Sequence, residues 1–124
     1  MSHISNIELE VKDVGILGQA CTRLGLQLVR DQRAFKWYGQ EAQCDHCIRV
    51  PGANYEIGVL SRSGSYELNC DFYDKNLEKV VGQKGGLLKQ AYAAEKTRIE
   101  ARKKGYSVIE RQTETGIRIH VRIP

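Results

Sequence analysis

The stretch Tyr55-Glu56-Ile57-Gly58-Val59-Leu60-Ser61-Arg62-Ser63-Gly64-Ser65-Tyr66-Glu67-Leu68-Asn69-Cys70-Asp71 decides the fold class. Two short runs of strand character, residues 55–60 and 66–71, flank Ser61-Arg62-Ser63-Gly64, whose residues accept turn dihedrals. This predicts an antiparallel hairpin. Just upstream, residues 35–38 and 44–50 have the same character, and Pro51-Gly52-Ala53-Asn54 supplies the intervening turn. A run of consecutive hairpins in mid-chain excludes an all-helical fold and a parallel α/β fold.

Outward from this centre the period changes. Residues 3–11 alternate, with Ile7, Leu9 and Val11 on one face and Glu8 and Glu10 on the other, the pattern of a half-buried strand. Asp13 is placed to cap a helix over residues 14–24, where Val14, Leu17, Ala20, Cys21 and Leu24 share one face and Gly25 ends the run. A short strand over 26–30 follows. Downstream, residues 74–86 are polar and glycine-bearing and read as a loop with a short helical piece. Residues 87–104 hold no Pro or Gly and carry a wide apolar stripe from Leu87 to Ala101, which predicts the longest helix, stopped by Gly105. Strands over 106–112 and 117–123 close the chain through Thr113-Glu114-Thr115-Gly116. The expectation is an α+β fold, one domain over residues 1–124, with an antiparallel sheet of six to seven strands and two helices packed on one face.

Composition narrows the class further. With 124 residues, 41% hydrophobic and 27% charged, the chain is long enough to bury a core without disulfides or metals as staples. Its four cysteines, Cys21, Cys44, Cys47 and Cys70, are too few and too irregular for a secreted disulfide framework. No signal-peptide pattern and no spanning apolar run is present, so a cytoplasmic location and no membrane association are expected. The whole net charge of +4 lies after Arg62, where twelve basic residues face eight acidic ones.

Several residue groups have the composition of a site. Cys44-Asp45-His46-Cys47 offers three metal-ligand types, but a strand over 44–50 sends Cys44 and His46 to one face and Asp45 and Cys47 to the other, so they do not close one tetrahedron. Buried apolar thiols and no metal or other cofactor are expected. No nucleophile signature accompanies His3, His46 or His120, so no enzymatic constellation is read. Gly82-Gln83-Lys84-Gly85-Gly86 precedes a helix yet lacks the P-loop spacing, and it reads as a connector. Lys84 and Lys89, with Arg118, His120 and Arg122 on the last strand, are the candidates for an anionic ligand. If the first and last strands are neighbours, those arginines pair with Glu8 and Glu10 across the sheet. Lys89, Lys96 and Lys103 recur every seven residues, but Glu100 neutralises part of the stripe and no basic-aromatic interleaving occurs, so nucleic acid is not the expected partner. Phe35, Trp37 and Tyr38, with only Lys36 among them as a guard, form a candidate sheet-edge interface, which predicts a homodimer or larger closed oligomer.

Met1-Ser2-His3-Ile4-Ser5, Leu24-Gly25-Leu26, Tyr55-Glu56-Ile57-Gly58, Tyr66-Glu67-Leu68, Gln90-Ala91-Tyr92-Ala93, Gly105-Tyr106-Ser107-Val108, Arg111-Gln112-Thr113 and Ile117-Arg118-Ile119 carry a resemblance along nearly the whole chain. The sequence resembles the hypothetical chloroplast reading frame thirty-five family, small uncharacterised proteins of cyanobacteria and algal plastids with relatives in bacteria and bacteriophages, classed as a domain of unknown function. Cys44-Asp45-His46-Cys47 departs from that family, which carries apolar and acidic residues there, and this argues against an inherited metal site. The resemblance implies plastid stroma or host cytoplasm as alternative locations, and an adaptor role beside an ATPase of the AAA class. The functional expectation is therefore a small non-enzymatic binding or adaptor protein acting through protein association. The alternative is a small-ligand or nucleotide-binding, sequestering protein of phage type, using residues 82–89 and 118–122.

Overall fold

The computed structural model describes residues 3–124; Met1 and Ser2, which open the family resemblance, lie outside the described residues. The class is α+β with antiparallel strands throughout. The elements run β1 (Ser5–Val11), α1 (Val14–Arg23), β2 (Gln27–Arg30), β3 (Ala34–Trp37), β4 (Gln40–Gln43), β5 (His46–Arg49), β6 (Ile57–Arg62) and β7 (Ser65–Cys70). They continue with α2 (Lys75–Val81), a 3-10 turn (Gln83–Gly85), α3 (Gly86–Lys103), β8 (Ser107–Thr113) and β9 (Gly116–Arg122).

In place of one sheet of six to seven strands there is a five-stranded sheet, ordered β1-β7-β6-β5-β2, and two separate hairpins, β3-β4 and β8-β9. The period-2 alternation of the strands explains the split. Ile7, Val11, Ile48, Ile57, Val59 and Leu68 project into one core with Leu17, Ala20 and Cys21 of α1, Leu77 and Val81 of α2, and Leu88, Ala91 and Tyr92 of α3. On the opposite side of the pleat, Cys47 joins Phe35 and Cys44 in a second, smaller cluster that seats the β3-β4 hairpin. Gly58 makes that seat possible, because a Cβ built there would overlap the Phe35 ring.

Three local readings are corrected. The expected strand over 44–50 begins only at His46, because Asp45 turns aside: its amide donates to Val59 O at 2.8 Å and its Oδ2 accepts the Ser61 amide at 2.7 Å. The residues before that break, Gln40–Gln43, form a strand of their own that polar composition hid. The stretch read mostly as loop contains α2, seven residues capped by Asp74, whose Oδ1 accepts the Asn76 and Leu77 amides at 3.0 and 3.3 Å.

The β8-β9 hairpin is not a neighbour of β1, so the expected pairing of Glu8 and Glu10 with Arg118 and Arg122 does not form. Glu10 instead meets Lys12 at 3.2 Å. The hairpin packs on α3, and four charges fasten it there. Arg23 of α1 reaches Glu95 of α3 at 2.9 Å and Glu110 of β8 at 2.7 Å, while Arg98 of α3 reaches the same Glu110 oxygen at 3.1 Å. Glu95 is buried, and the Arg23 and Glu110 side chains are only 21% and 17% exposed, so each cation satisfies a carboxylate with little access to water. The Arg23 hydrogen bond, helped by both arginine charges, holds the Glu110 carboxyl below its usual 4.5.

Replacing Arg23 with Ala leaves buried Glu95 without its cation and Glu110 with Arg98 alone, and should cost about 2–4 kcal/mol in chemical denaturation at neutral pH. The stabilisation from Glu110 is complete above its unfolded pKa and is lost as pH falls through the lower folded value. The gap between wild type and Arg23→Ala should therefore shrink below about pH 4, which denaturation midpoints measured from pH 7 to pH 3 will show.

Candidate functional site

A cleft of about 590 Å³ opens at the end of the sheet where β1 starts and β7 stops. Its residues come from three segments that the topology brings together. β1 and the residues before it supply His3, Ser5, Asn6 and Glu8; the β7-α2 connection supplies Asp71, Phe72 and Tyr73, and the first residue of α2 is Lys75; the approach to α3 supplies Lys84, and α3 itself supplies Lys89.

The lysines are placed by backbone packing. Gly85 lies directly on β1, since a Cβ there would stand 2.8 Å from Cγ2 of Ile7, and its φ of +76° is open to glycine at little cost. With Gly85 pinned, the chain before it crosses the cleft and Lys84 takes a left-handed conformation, φ 55° and ψ 23°. A side chain with a Cβ is strained there. Lys89 follows on the first turns of α3, half-buried. Among the described residues no carboxylate lies within ion-pair distance of Lys84 or Lys89, while Lys75 meets Glu78 at 3.5 Å with most of its side chain in water.

The opposite wall is set by two aspartates. Asp71 is only 2% exposed, and its Oδ1 accepts the Tyr73 amide at 2.8 Å. Asp74 caps α2 and also accepts the Asn54 and Tyr55 amides through Oδ2 at 2.7 and 3.0 Å. Tyr73 is left 58% exposed and meets Tyr38 edge-on, with ring centroids 5.9 Å apart and planes at 83°.

Of the ligand candidates read from the sequence, Lys84 and Lys89 meet in this cleft, whereas Arg118, His120 and Arg122 lie on an exposed face of the β8-β9 hairpin. The two groups do not share a site. Sequence reading missed Asp71, which carried no signal beyond ending a strand run, and His3, which had no motif around it. The proposed edge interface is corrected at Phe35, which is 1% exposed and belongs to the second core cluster. Trp37 is half-buried against that cluster, and Tyr38 alone of the three is exposed, at the tip of the β3-β4 hairpin.

Cys44 and Cys47 do not face opposite ways as a continuous strand would require. The break at Asp45 turns both into the cluster around Phe35, where Cys44 Sγ donates to Gln32 O at 3.1 Å. His46 is occupied elsewhere, its Nδ1 accepting the Asp31 amide at 3.0 Å. Burial pushes the Cys44 and Cys47 thiols up, and those of Cys21 and Cys70 to about 12. Among the described residues no three His, Cys, Asp or Glu side chains converge to hold a metal ion, and no helix is long and apolar enough to cross a membrane.

Residues 20–121 match the family model described as Protein of unknown function (DUF1257), a span from the last turn of α1 into β9 that holds most of the core. The chain belongs to the DUF1257 family. No curated protein and no solved structure matches it. The matched span contains Asp71, Phe72, Tyr73, Lys75, Lys84 and Lys89, so six residues lining the cleft belong to the DUF1257 domain itself.

The strain at Lys84 gives the site a measurable signature. Lys84→Gly removes the left-handed penalty of about 1–2 kcal/mol and gives back part of it as chain entropy, so the variant should be as stable as wild type or up to about 1 kcal/mol more stable. Equilibrium unfolding of the purified variant checks this.

Proposed function

We propose that this DUF1257 domain binds a small phosphate- or carboxylate-bearing metabolite in the cleft between β1 and the start of α3. The observation that carries the reading is the pair Lys84 and Lys89, two cations lining one cleft without a carboxylate in ion-pair range among the described residues. Surface lysines on a helix are ordinarily solvated and free to move. Here the backbone of exposed Lys84 is fixed by a loop packed on β1, and Lys89 is half-buried, so the fold meets part of the entropic cost of gathering positive charge, at the backbone of Lys84 and the side chain of Lys89. The cleft volume lies in the range of small-molecule sites, and Lys75 adds a third cation at its rim. Binding rather than turnover is proposed, with recognition by charge-assisted hydrogen bonds.

This favours the small-ligand reading over association through the β3-β4 hairpin. That reading loses Phe35 to the core and keeps Tyr38 with part of Trp37.

Titration calorimetry with inorganic phosphate provides the test. Charge-assisted hydrogen bonds contribute about 1.5–3 kcal/mol each, so Lys84→Gln/Lys89→Gln should weaken phosphate binding tenfold or more while leaving the thermal midpoint within a few degrees. The wild-type affinity should also fall as salt rises. A wild-type protein that binds neither phosphate nor a small dicarboxylate, or a double variant that binds phosphate equally well, contradicts the proposal.

A further inference from the structure

We infer that the cleft takes a phosphorylated ribose bearing a flat ring, a ribonucleoside 5′-monophosphate, with a sugar hydroxyl donated to Asp71; this rests on the anion-binding reading above. The observation is a single atom. Asp71 is 2% exposed and lines the cleft; its Oδ1 is occupied by the Tyr73 amide, and its Oδ2 has no hydrogen-bond partner among the described residues. Buried carboxylate oxygens are almost always hydrogen-bonded, and one left without a donor beside a cleft is an acceptor waiting for a group that enters the cleft. Oδ2 is itself closed to water, so a ligand hydroxyl meets it through a rotation about the broad carboxyl torsion of Asp, which moves Oδ1 against the Tyr73 amide as well.

The chemistry of that donor follows from its surroundings. A ligand ammonium would be drawn by Asp71 and Glu8, but the lysines lining the same cleft, Lys75, Lys84 and Lys89, offset that attraction. A neutral hydroxyl meets no such penalty. A carboxylate that accepts a ribose hydroxyl while a separate group takes the phosphate is the division of labour of Rossmann dinucleotide sites, and here the lysines stand in for the phosphate-binding group. The third part is the ring. Tyr73 is 58% exposed at the cleft and is buttressed by the nearly perpendicular ring of Tyr38, so much of its aromatic surface is available for stacking. Phosphate, hydroxyl and flat ring together specify a ribonucleotide, and about 590 Å³ is room for one.

The experiment compares inorganic phosphate, ribose 5-phosphate, 2-deoxyribose 5-phosphate and adenosine 5′-monophosphate by titration calorimetry on the full chain. Wild type should prefer ribose 5-phosphate over its deoxy analogue by tenfold or more, and the adenosine monophosphate should bind tighter than ribose 5-phosphate. Asp71→Asn should bring the ribose-to-deoxyribose ratio within twofold, while inorganic phosphate still binds, at least as tightly as to wild type because one negative charge is gone from the cleft. If phosphate binds but wild type does not distinguish the two sugars, the ribose assignment is overturned and the anion site stands. If adenosine monophosphate binds no tighter than ribose 5-phosphate, the nucleotide assignment is overturned. If none of the four binds, the site reading and this inference fall together. Should Asp71→Asn fail to fold, the wild-type ratio decides alone.

Discussion

Four backbone amides converge on one carboxylate, Asp74, and the wall of the cleft depends on them. Asn76 and Leu77 donate to Oδ1 and start α2; Asn54 and Tyr55 donate to Oδ2 and tie the turn before β6 to the same point. Burial by itself raises the pKa of this carboxyl, yet the four donors outweigh it and hold the group below its usual value. The segment between Asp71 and Lys75 is thus pinned at one end by the last residues of β7 and at the other by this knot. The backbone of Tyr73 and Lys75 is thereby held in place next to buried Asp71, while their side chains reach into solvent. A short helix of seven residues is marginal by itself and persists here because its cap and its two buried residues, Leu77 and Val81, act together.

The same logic separates the two positive regions of the second half of the chain. On the β8-β9 hairpin, Glu110 points toward α3 and is satisfied by Arg23 and Arg98, so the hairpin is fastened by charge on one face. Its other face, with Arg118, His120 and Arg122, stays in water. Basic side chains along a two-stranded ribbon are a common guard against edge-to-edge pairing. The lysines of the cleft differ in kind. They are set in a concave surface beside a buried carboxylate, by a loop whose glycine touches the sheet. Equal charge in the sequence therefore has unequal meaning once the topology is known.

Much of the fold was legible because its signals are local. Alternation marked β1 and β9, runs of strand character between turn residues marked β6 and β7, helical spacing marked α1 and α3, and Gly25 and Gly105 marked the helix ends. The misses are also physical. Gln40-Glu41-Ala42-Gln43 forms a strand only because Phe35 across the hairpin is buried against Gly58, a tertiary cause invisible in a polar tetrapeptide. The break at Asp45 depends on hydrogen bonds to Val59 and Ser61 far along the chain. For the site, Lys84 and Lys89 stood out beside a glycine-rich run, but that Arg118 to Arg122 lies elsewhere is a property of sheet order. Asp71 was unreadable: an aspartate at a strand end is ordinarily a solvated turn residue, and its missing partner is a fact of three dimensions.

The central claim is that the cleft, and no other basic surface, is the ligand site. Amide chemical-shift mapping of the 15N-labelled protein titrated with inorganic phosphate tests it most directly. The account predicts saturable shifts clustered at residues 71–75 and 82–89, with the 107–122 hairpin unmoved. Shifts centred on Arg118, His120 and Arg122, or a spectrum unchanged at millimolar phosphate, would contradict it.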